Sequence, residues 1–459
     1  MPSNATHDPT LRSWVESAND PASDFPIQNL PLAAFLVEHD GHAHGHLATV
    51  IGDRIVDIST LAMAGFFGDP EAEELPSVLH TPYWNAFAAR PALWSPLRSK
   101  LQDFLRADGL AGQQVRRLRQ KVVLPLAGAR LTAPVAVLNY TDFYASKHHA
   151  ANVGSMFRPD HPLLPNYAHV PIGYHGRASS IMLSGQGIRR PHGQQSPPEG
   201  EPGAGPRFGP STMLDYELEV GMIVGPGNRL GEPVPIGLAG AHILGFCIVN
   251  DWSARDMQKW EYQPLGPFLA KNFATSMSPF IVTREAMEPF RVPGPSRQAA
   301  DPAPLPYLRD AEPWGLDITV EASLSSVAMR ERGAAPVRLS RGSFRDMYWT
   351  FTQMLTHHTS NGCNLQPGDL LASGTVSGPT DDSRGCLLEL TWSGNGPDKK
   401  PLPRRPVELP TGETRSFLQD GDEVIMRGWC ERDGFRRIGL GECRGTVEAA
   451  VAAVAPNAG

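Results

Sequence analysis

A chain of 459 residues, 41% hydrophobic and 19% charged, is neither disordered nor fibrous, and its length predicts two or three folding units with large buried cores. A net charge of −7 excludes an electrostatic case for nucleic acid or an anionic membrane as partner and favours a small molecule. The five cysteines are odd in number and lack a C-x-x-C pair, which excludes a disulfide framework and a zinc ribbon.

Residues 33–60 read as short strands broken at Asp40-Gly41 and Gly52-Asp53, the usual hairpin punctuation. His42, His44 and His46 alternate along one of them and read as exposed strand histidines rather than metal ligands. A helix follows, capped by Ser95, with Pro96 in its first turn, Leu97, Leu101, Phe104 and Leu105 at helical spacing, and a stop at Gly109. The character of the chain changes between Pro125 and Pro134, which places a boundary between units 1–133 and 134–459. The opening residues show no basic segment leading into an apolar core, and no apolar run is long enough for a bilayer. The expected setting is therefore the cytoplasm.

Thr141 is read as the cap of a helix over 141–158, which puts Asp142 and His149, seven apart, on one face, with His148 pointing elsewhere. Residues 193–210 are nearly all turn formers and read as a surface loop, as does 393–412. In DYELEV, residues 215–220, strand alternation projects Glu217 and Glu219 together, with Tyr216, Leu218 and Val220 opposite. Adjacent carboxylates repel unless a cation lies between them, and oxygen-only ligands suit Mg²⁺, Ca²⁺ or Mn²⁺ rather than zinc. Asp142 and Asp251 are read as completing that hard-cation set; the alternative is a solvated acidic strand edge.

From Asp251 onward, Ser253 reads as the cap of a helix that places Arg255, Gln258 and Tyr262 on one polar face. Pro264, Gly266 and Pro267 end it, and Lys271 returns on an extended segment. Arg255, Gln258 and Lys271 are convergent donors of the kind that stabilise an oxyanion, against the alternative of a solvated helix face. Residues 343–364 read as a core helix capped by Ser343 and stopped at Asn361-Gly362, with His357-His358 complementing its C-terminal dipole. Residues 367–379 give a turn, a short buried strand and a second turn bearing Thr375. Glu389 stands on the apolar strand CLLELTW, where an unpaired carboxylate is costly; His149 is its assigned partner. No G-x-S-x-G elbow, H-E-x-x-H or P-loop occurs.

Taken together, DFYASKHHA, VPIGYHGRASS, DYELEVGMIVGPGNRLGEP, NDWSARDMQKWEYQPLGPFLAKNF and NGCNLQPGDLLASGTVSG closely resemble the fumarylacetoacetate hydrolase family over residues 136–445. The Glu-x-Glu and PGDLLASGT are shared across that family. The Gly-Tyr-His-Gly-Arg turn and the segment from Asp251 mark its branch acting on fumarylacetoacetate. The resemblance implies a mainly β chain: a small SH3-like β-barrel domain over 1–133, then a mixed β-sandwich-roll catalytic domain over 134–459 with a few helices, in a homodimer. It implies Ca²⁺ or Mg²⁺ on Asp142, Glu217, Glu219 and Asp251, with Lys271 and Thr275 also at the ion.

It further implies that His149 and Glu389 activate water and that Arg255, Gln258 and Lys271 stabilise the oxyanion and the departing carbanion. Tyr144, Arg158, Tyr174, Gln258, Tyr262 and Thr375 would then hold the substrate. The implied reaction is hydrolysis of the carbon–carbon bond of 4-fumarylacetoacetate to fumarate and acetoacetate in tyrosine and phenylalanine breakdown. An acylpyruvate hydrolase or 2-oxo acid decarboxylase would keep the metal carboxylates but lack Tyr144, Arg158 and Tyr174 as a set. A calcium-stabilised β binding module would need no His149, Glu389 or Lys271. The chain departs from the family pattern in a longer N-terminus and in the loops at 193–210 and 393–412.

Overall fold

The computed structural model describes residues 4–452 apart from 199–202, 296 and 312–313. The strands Leu32–His39, His42–Ile51 and Arg54–Asp57 form successive antiparallel hairpins. Asp40 and Gly41 both take positive φ at the first tip, which lets His39 pair directly with His42. Val123–Pro125 and Leu131–Thr132 add to the two edges, giving a five-stranded antiparallel sheet. Among the described residues no pairing joins those edges.

This first unit carries more helix than its hairpins announce: Ile58–Met63, Glu74–Val78, Asn85–Ala88, Trp94–Leu105 and Gln113–Val122. Ser95 lies inside the fourth of these rather than at its cap, because Leu93 and Trp94 already take helical angles. The helix stops at Leu105, where Arg106 turns extended, short of Gly109. His42 and His44 are exposed as expected, whereas His46 is half-buried with Nδ1 3.0 Å from Asp57 Oδ2.

The rest of the chain builds two larger sheets. One, of eight strands, runs Gly173–Gly176, Tyr140–Phe143, Leu370–Ala372, Leu218–Val224, Ile243–Asp251, Thr275–Met277, Ile181–Leu183, with Val282–Thr283 also on Ile243–Asp251. The other, of five strands, runs Val337–Ser343, Thr319–Ser325, Glu423–Cys430, Ile438–Glu448, Gly187–Arg189. Both central strands of the larger sheet are buried along their whole length, which explains their near-continuous apolar runs. Leu218, Val220, Met222, Val224, Phe246 and Ile248 face a core shared with Val320, Ala322, Leu324, Val424 and Met426 of the five-stranded sheet. Ile223, Leu244, Cys247 and Val249 face the other way, onto Leu47, Trp84, Leu97 and Phe104 of the N-terminal unit. That unit is therefore a roof on one face of the eight-stranded sheet.

Several local expectations change. Tyr140–Phe143 is a strand, drawn into parallel pairing with Leu370–Ala372, and the helix begins only at Lys147. Its cap is Ser146, whose side chain accepts the His149 N–H, not Thr141. DYELEV breaks into Leu214–Asp215, paired with Ser253–Ala254, and Leu218–Val224, so Glu217 precedes the strand. Ser253 is thereby a strand residue, and the helix Arg255–Glu261 follows Ala254. Lys271 sits in a turn closed onto Phe268 O rather than on an extended segment.

Ser343 ends a strand, and the core helix is the shorter Phe351–Thr359, with a Thr350–Gln353 capping box. Glu389 stands on a single helical turn, Leu387–Leu390, not on a strand. The supposed loop at 193–210 holds a hairpin of His192–Gln195 with Arg207–Pro210, while 199–202 lie outside the described residues. The stretch at 393–412 is irregular apart from an isolated bridge between Asn395 and Pro401 and a pairing of Val407–Glu408 with Thr414–Arg415.

Candidate active site and metal centre

Strand alternation places the acids. Asp142 shares a sheet face with Tyr140, Glu219 with Ile223, and Asp251 with Val249 and Cys247, the face roofed by the N-terminal unit. The carboxylates take over where that roof's apolar contacts end. Between the Asp142 and Glu219 strands runs Leu370–Ala372, which sets Ala372 opposite Asp142 and leads on to Gly374. Gly374 takes φ +74° and donates its N–H to Glu219 Oε2 at 3.1 Å. A Cβ there would sit 2.1 Å from Phe143 O. Gly374→Ala should destabilise the fold by about 2 kcal/mol or more and weaken divalent binding, measured by denaturation and ion titration. An unchanged ion affinity in a folded variant would separate Gly374 from the centre.

Asp142, Glu217, Glu219 and Asp251 each offer an oxygen, all within 4.8 Å of one another, and all four residues are buried. Two cations face them. Arg255 Nη1 lies 2.7 Å from Glu217 Oε1, and Lys271 Nζ lies 2.7 Å from Asp251 Oδ2 and also bonds Glu217 Oε2. Four carboxyl groups thus crowd around two positive side chains. Asp142 Oδ1 and Glu219 Oε1 are buried without any hydrogen-bond partner, a costly state for an acceptor. Burial, followed by the other carboxylates, pushes Asp142 and Glu219 well above the ordinary carboxylate range. Burial pushes Glu217 the same way, but Lys271, Arg255 and then His149 hold it below that range. Crowded carboxyl groups, orphaned oxygens and an all-oxygen donor set fit a hard divalent cation.

Lys271 and Thr275 stand beside the carboxylates and donate to them. Burial alone would lower Lys271, but Asp251 and Glu217 more than reverse it, so its nitrogen is an ammonium with no lone pair to give. Thr275 Oγ1 donates to Asp251 Oδ1 at 2.8 Å, and Tyr174 Oη donates to Asp251 Oδ2 at 2.7 Å. All three hold a carboxylate in place.

Beside this cluster, His149 Nδ1 lies 2.6 Å from Glu389 Oε2. Glu389 also accepts from Ser377 Oγ at 2.8 Å, Asn152 Nδ2 at 2.8 Å and Cys386 Sγ at 3.1 Å. Burial would raise Glu389, yet His149, Asn152 and Cys386 bring it from the ordinary 4.5 down to about 2. Because the folded value is depressed, the charge stabilises the fold fully above pH 4.5 and progressively less as pH falls toward 2. The stability gap between the native chain and Glu389→Gln should accordingly be widest at neutral pH and narrow below pH 4.5, read from denaturant midpoints. A gap that widens with acid would contradict this sign. A carboxylate on Nδ1 fixes the ring proton there and leaves Nε2 with a lone pair. The Tyr144 ring meets the imidazole edge-on at 5.2 Å.

Arg255 Nε bonds Asp215 Oδ2 at 3.0 Å and Nη1 bonds Gln258 Oε1 at 3.0 Å, while Nη2 is buried with no partner. Thr375 Oγ1 is likewise buried and unpartnered. Two of the sequence candidates lie apart from the carboxylates in their contacts: Arg158 donates to Pro162 O at 3.2 Å, and Tyr262 packs on Phe157. The sequence reading missed Asp215, Asn152, Ser377 and Cys386. Asp215 accepts Leu387 N and Leu388 N at 2.9 Å each as well as Arg255, tying the turn that bears Glu389 to the Arg255 guanidinium. Asn152, three residues from His149 on its helix, was the one with a local signal.

The family described as Fumarylacetoacetate (FAA) hydrolase C-terminal matches residues 139–448, and that described as Fumarylacetoacetase N-terminal matches residues 28–134. Among curated relatives, the fumarylacetoacetase of Bos taurus is 47% identical over 437 residues, covering 95% of this chain and 98% of that protein. The fumarylacetoacetase of Homo sapiens is 45% identical over the same coverage. That of Arabidopsis thaliana is 44% identical over 440 residues, again 95% and 98% of the two chains.

Proposed function

The chain belongs to the fumarylacetoacetate hydrolase family, and from that premise we propose that it hydrolyses 4-fumarylacetoacetate to fumarate and acetoacetate in tyrosine and phenylalanine catabolism. One observation supports this above the others: a buried carboxylate quartet beside a His149–Glu389 pair, with His149 near enough to lower Glu217. A binding module has no use for the second half of that arrangement.

Asp142, Glu217, Glu219 and Asp251 hold the cation, read as Ca²⁺ or Mg²⁺. When bound, it supplies Lewis-acid stabilisation for the charge that develops on a β-diketone. His149 Nε2 takes a proton from water as the water oxygen bonds to the carbonyl carbon on the fumaroyl side. Glu389 steadies the imidazolium so formed. The bond from that carbon to the central methylene breaks, its electron pair leaves with the acetoacetate half as an enolate, and the proton that His149 took from water returns to the former methylene carbon, which becomes the methyl of acetoacetate. Arg255 through its free Nη2, with Gln258 and Lys271, stabilises the oxyanion and the enolate. Tyr144, Tyr174 and Thr375 line the substrate's path, and Arg158 and Tyr262 serve it from farther out. The same reading takes a division at residues 133 and 134, SH3-like curvature of the N-terminal sheet, a homodimer and a cytoplasmic setting. No helix among the described residues is long and apolar enough to cross a membrane.

The test is turnover of fumarylacetoacetate and of acetylpyruvate by the purified protein, with and without chelator. Chelator-sensitive cleavage that favours fumarylacetoacetate is expected. Preference for acetylpyruvate would move the assignment to an acylpyruvate hydrolase. Lys271→Met should lower kcat by about 10²-fold with little change in KM, as loss of a transition-state donor does. A change confined to KM would make Lys271 a ground-state binding group.

A further inference from the structure

We propose that His149, Cys386 and Glu389 form a second metal site, suited to a thiophilic divalent ion such as Zn²⁺, whose occupation switches the enzyme off. The inhibitory half of this proposal rests on the reading of His149 as the base. The three side chains offer one nitrogen, one sulfur and one oxygen within 4.8 Å of each other, and all three residues are buried. Nitrogen, sulfur and oxygen together are a zinc-type donor set, unlike the four oxygens of the neighbouring centre. Both His149 Nδ1, at 2.6 Å, and Cys386 Sγ, at 3.1 Å, converge on the same oxygen, Glu389 Oε2. A thiol is a weak donor, and Glu389 is already held by Ser377 and Asn152, so hydrogen bonding alone gives Cys386 little to do.

In the metal-free state, two protons occupy the space between these atoms, one on Nδ1 and one on Sγ. Burial, followed by Glu389 and Asp215, pushes the Cys386 thiol well above its ordinary range, so it stays protonated until a cation arrives. Zn²⁺ bonds at about 2.0 Å to nitrogen or oxygen and about 2.3 Å to sulfur in a tetrahedral arrangement, so seating it parts His149 Nδ1 from Glu389 Oε2 by about 0.7 Å and moves the sulfur outward by about 0.4 Å. On binding, the thiol proton goes to solvent, one per ion. The imidazole must keep one N–H, so its proton moves from Nδ1 to Nε2. The nitrogen that should accept a proton from water thereby becomes a donor. The Glu389 carboxylate is engaged at the same time, so base and orienting acid are lost together while the hard-ion centre stays filled. The charges close: one dication, one thiolate and one carboxylate.

The test uses the full chain with excess Mg²⁺ and titrates Zn²⁺ against turnover and, in parallel, Cd²⁺ against ultraviolet absorption, where a thiolate–Cd²⁺ bond gives a charge-transfer band. Zn²⁺ should inhibit in a way that added Mg²⁺ does not relieve. Cys386→Ser should raise the half-inhibiting Zn²⁺ concentration by about a hundredfold relative to its own uninhibited rate. The Cd²⁺ band should be present in the native chain and missing from the variant. Cys386→Ala provides the same comparison if the serine variant does not fold. Inhibition that Mg²⁺ competes away, or a Cd²⁺ band unchanged by both substitutions, would overturn the site. Cd²⁺ bound through Cys386 with turnover unaffected would leave the site standing, refute its inhibitory role and remove His149 from the part of base.

Discussion

His149→Asn should lose about 10²–10⁴-fold in kcat while folding normally and binding its divalent ion with unchanged affinity. The side chain touches Glu389 and the Tyr144 ring but none of the four clustered carboxylates by hydrogen bond, so its removal costs the base and not the centre. Asparagine can still donate to Glu389, which limits the penalty of leaving that buried carboxylate alone. Glu389→Gln should lose a comparable amount, because the group that fixes the ring proton on Nδ1 and steadies the imidazolium has lost its charge. The double variant should be little worse than either single one, since one unit cannot be removed twice. Full additivity, or loss of the ion from His149→Asn, would show that the pair does not act as base and orienter.

Asp251→Ala should abolish turnover and ion binding together. Asp251 collects Lys271, Thr275 and Tyr174 and supplies one of the four clustered oxygens. Its loss leaves the buried Lys271 ammonium with Glu217 as its remaining contact, and breaking such a buried pair typically costs about 3–5 kcal/mol. A clear drop in thermal stability should accompany the loss of activity. Chelating the native protein should remove activity without that structural damage, and Mg²⁺ or Ca²⁺ should restore it. Zn²⁺ should not.

What the sequence disclosed about the site was mostly chemistry rather than geometry. Glu217 and Glu219 were legible because two acids in an apolar run need an explanation, and the need stands even though Glu217 precedes the strand. Asp142 reached the right cluster by the wrong element. Thr141 and Ser146 are both good caps, and the choice fell to parallel pairing with Leu370–Ala372, a non-local contact that no window around residue 141 contains. Glu389 was correctly judged to need His149, since burial of a carboxylate demands a partner wherever it sits. That it stands on a helical turn follows from Asp215 accepting the N–H groups of Leu387 and Leu388, again a distant contact. The helices packed around the N-terminal sheet were hidden for a related reason: short amphipathic segments are stabilised by what they pack on.

The central claim is that His149-activated water adds to the fumaroyl-side carbonyl, and cleavage in oxygen-18 water tests it most directly. The metal-loaded native protein should convert fumarylacetoacetate to equal amounts of fumarate and acetoacetate, with the solvent label in a fumarate carboxylate. His149→Asn, ion-loaded, should form neither product at an appreciable rate. Labelled malonate with 4-oxopent-2-enoate, the products of attack at the other ketone, or undiminished cleavage by His149→Asn, would contradict the account.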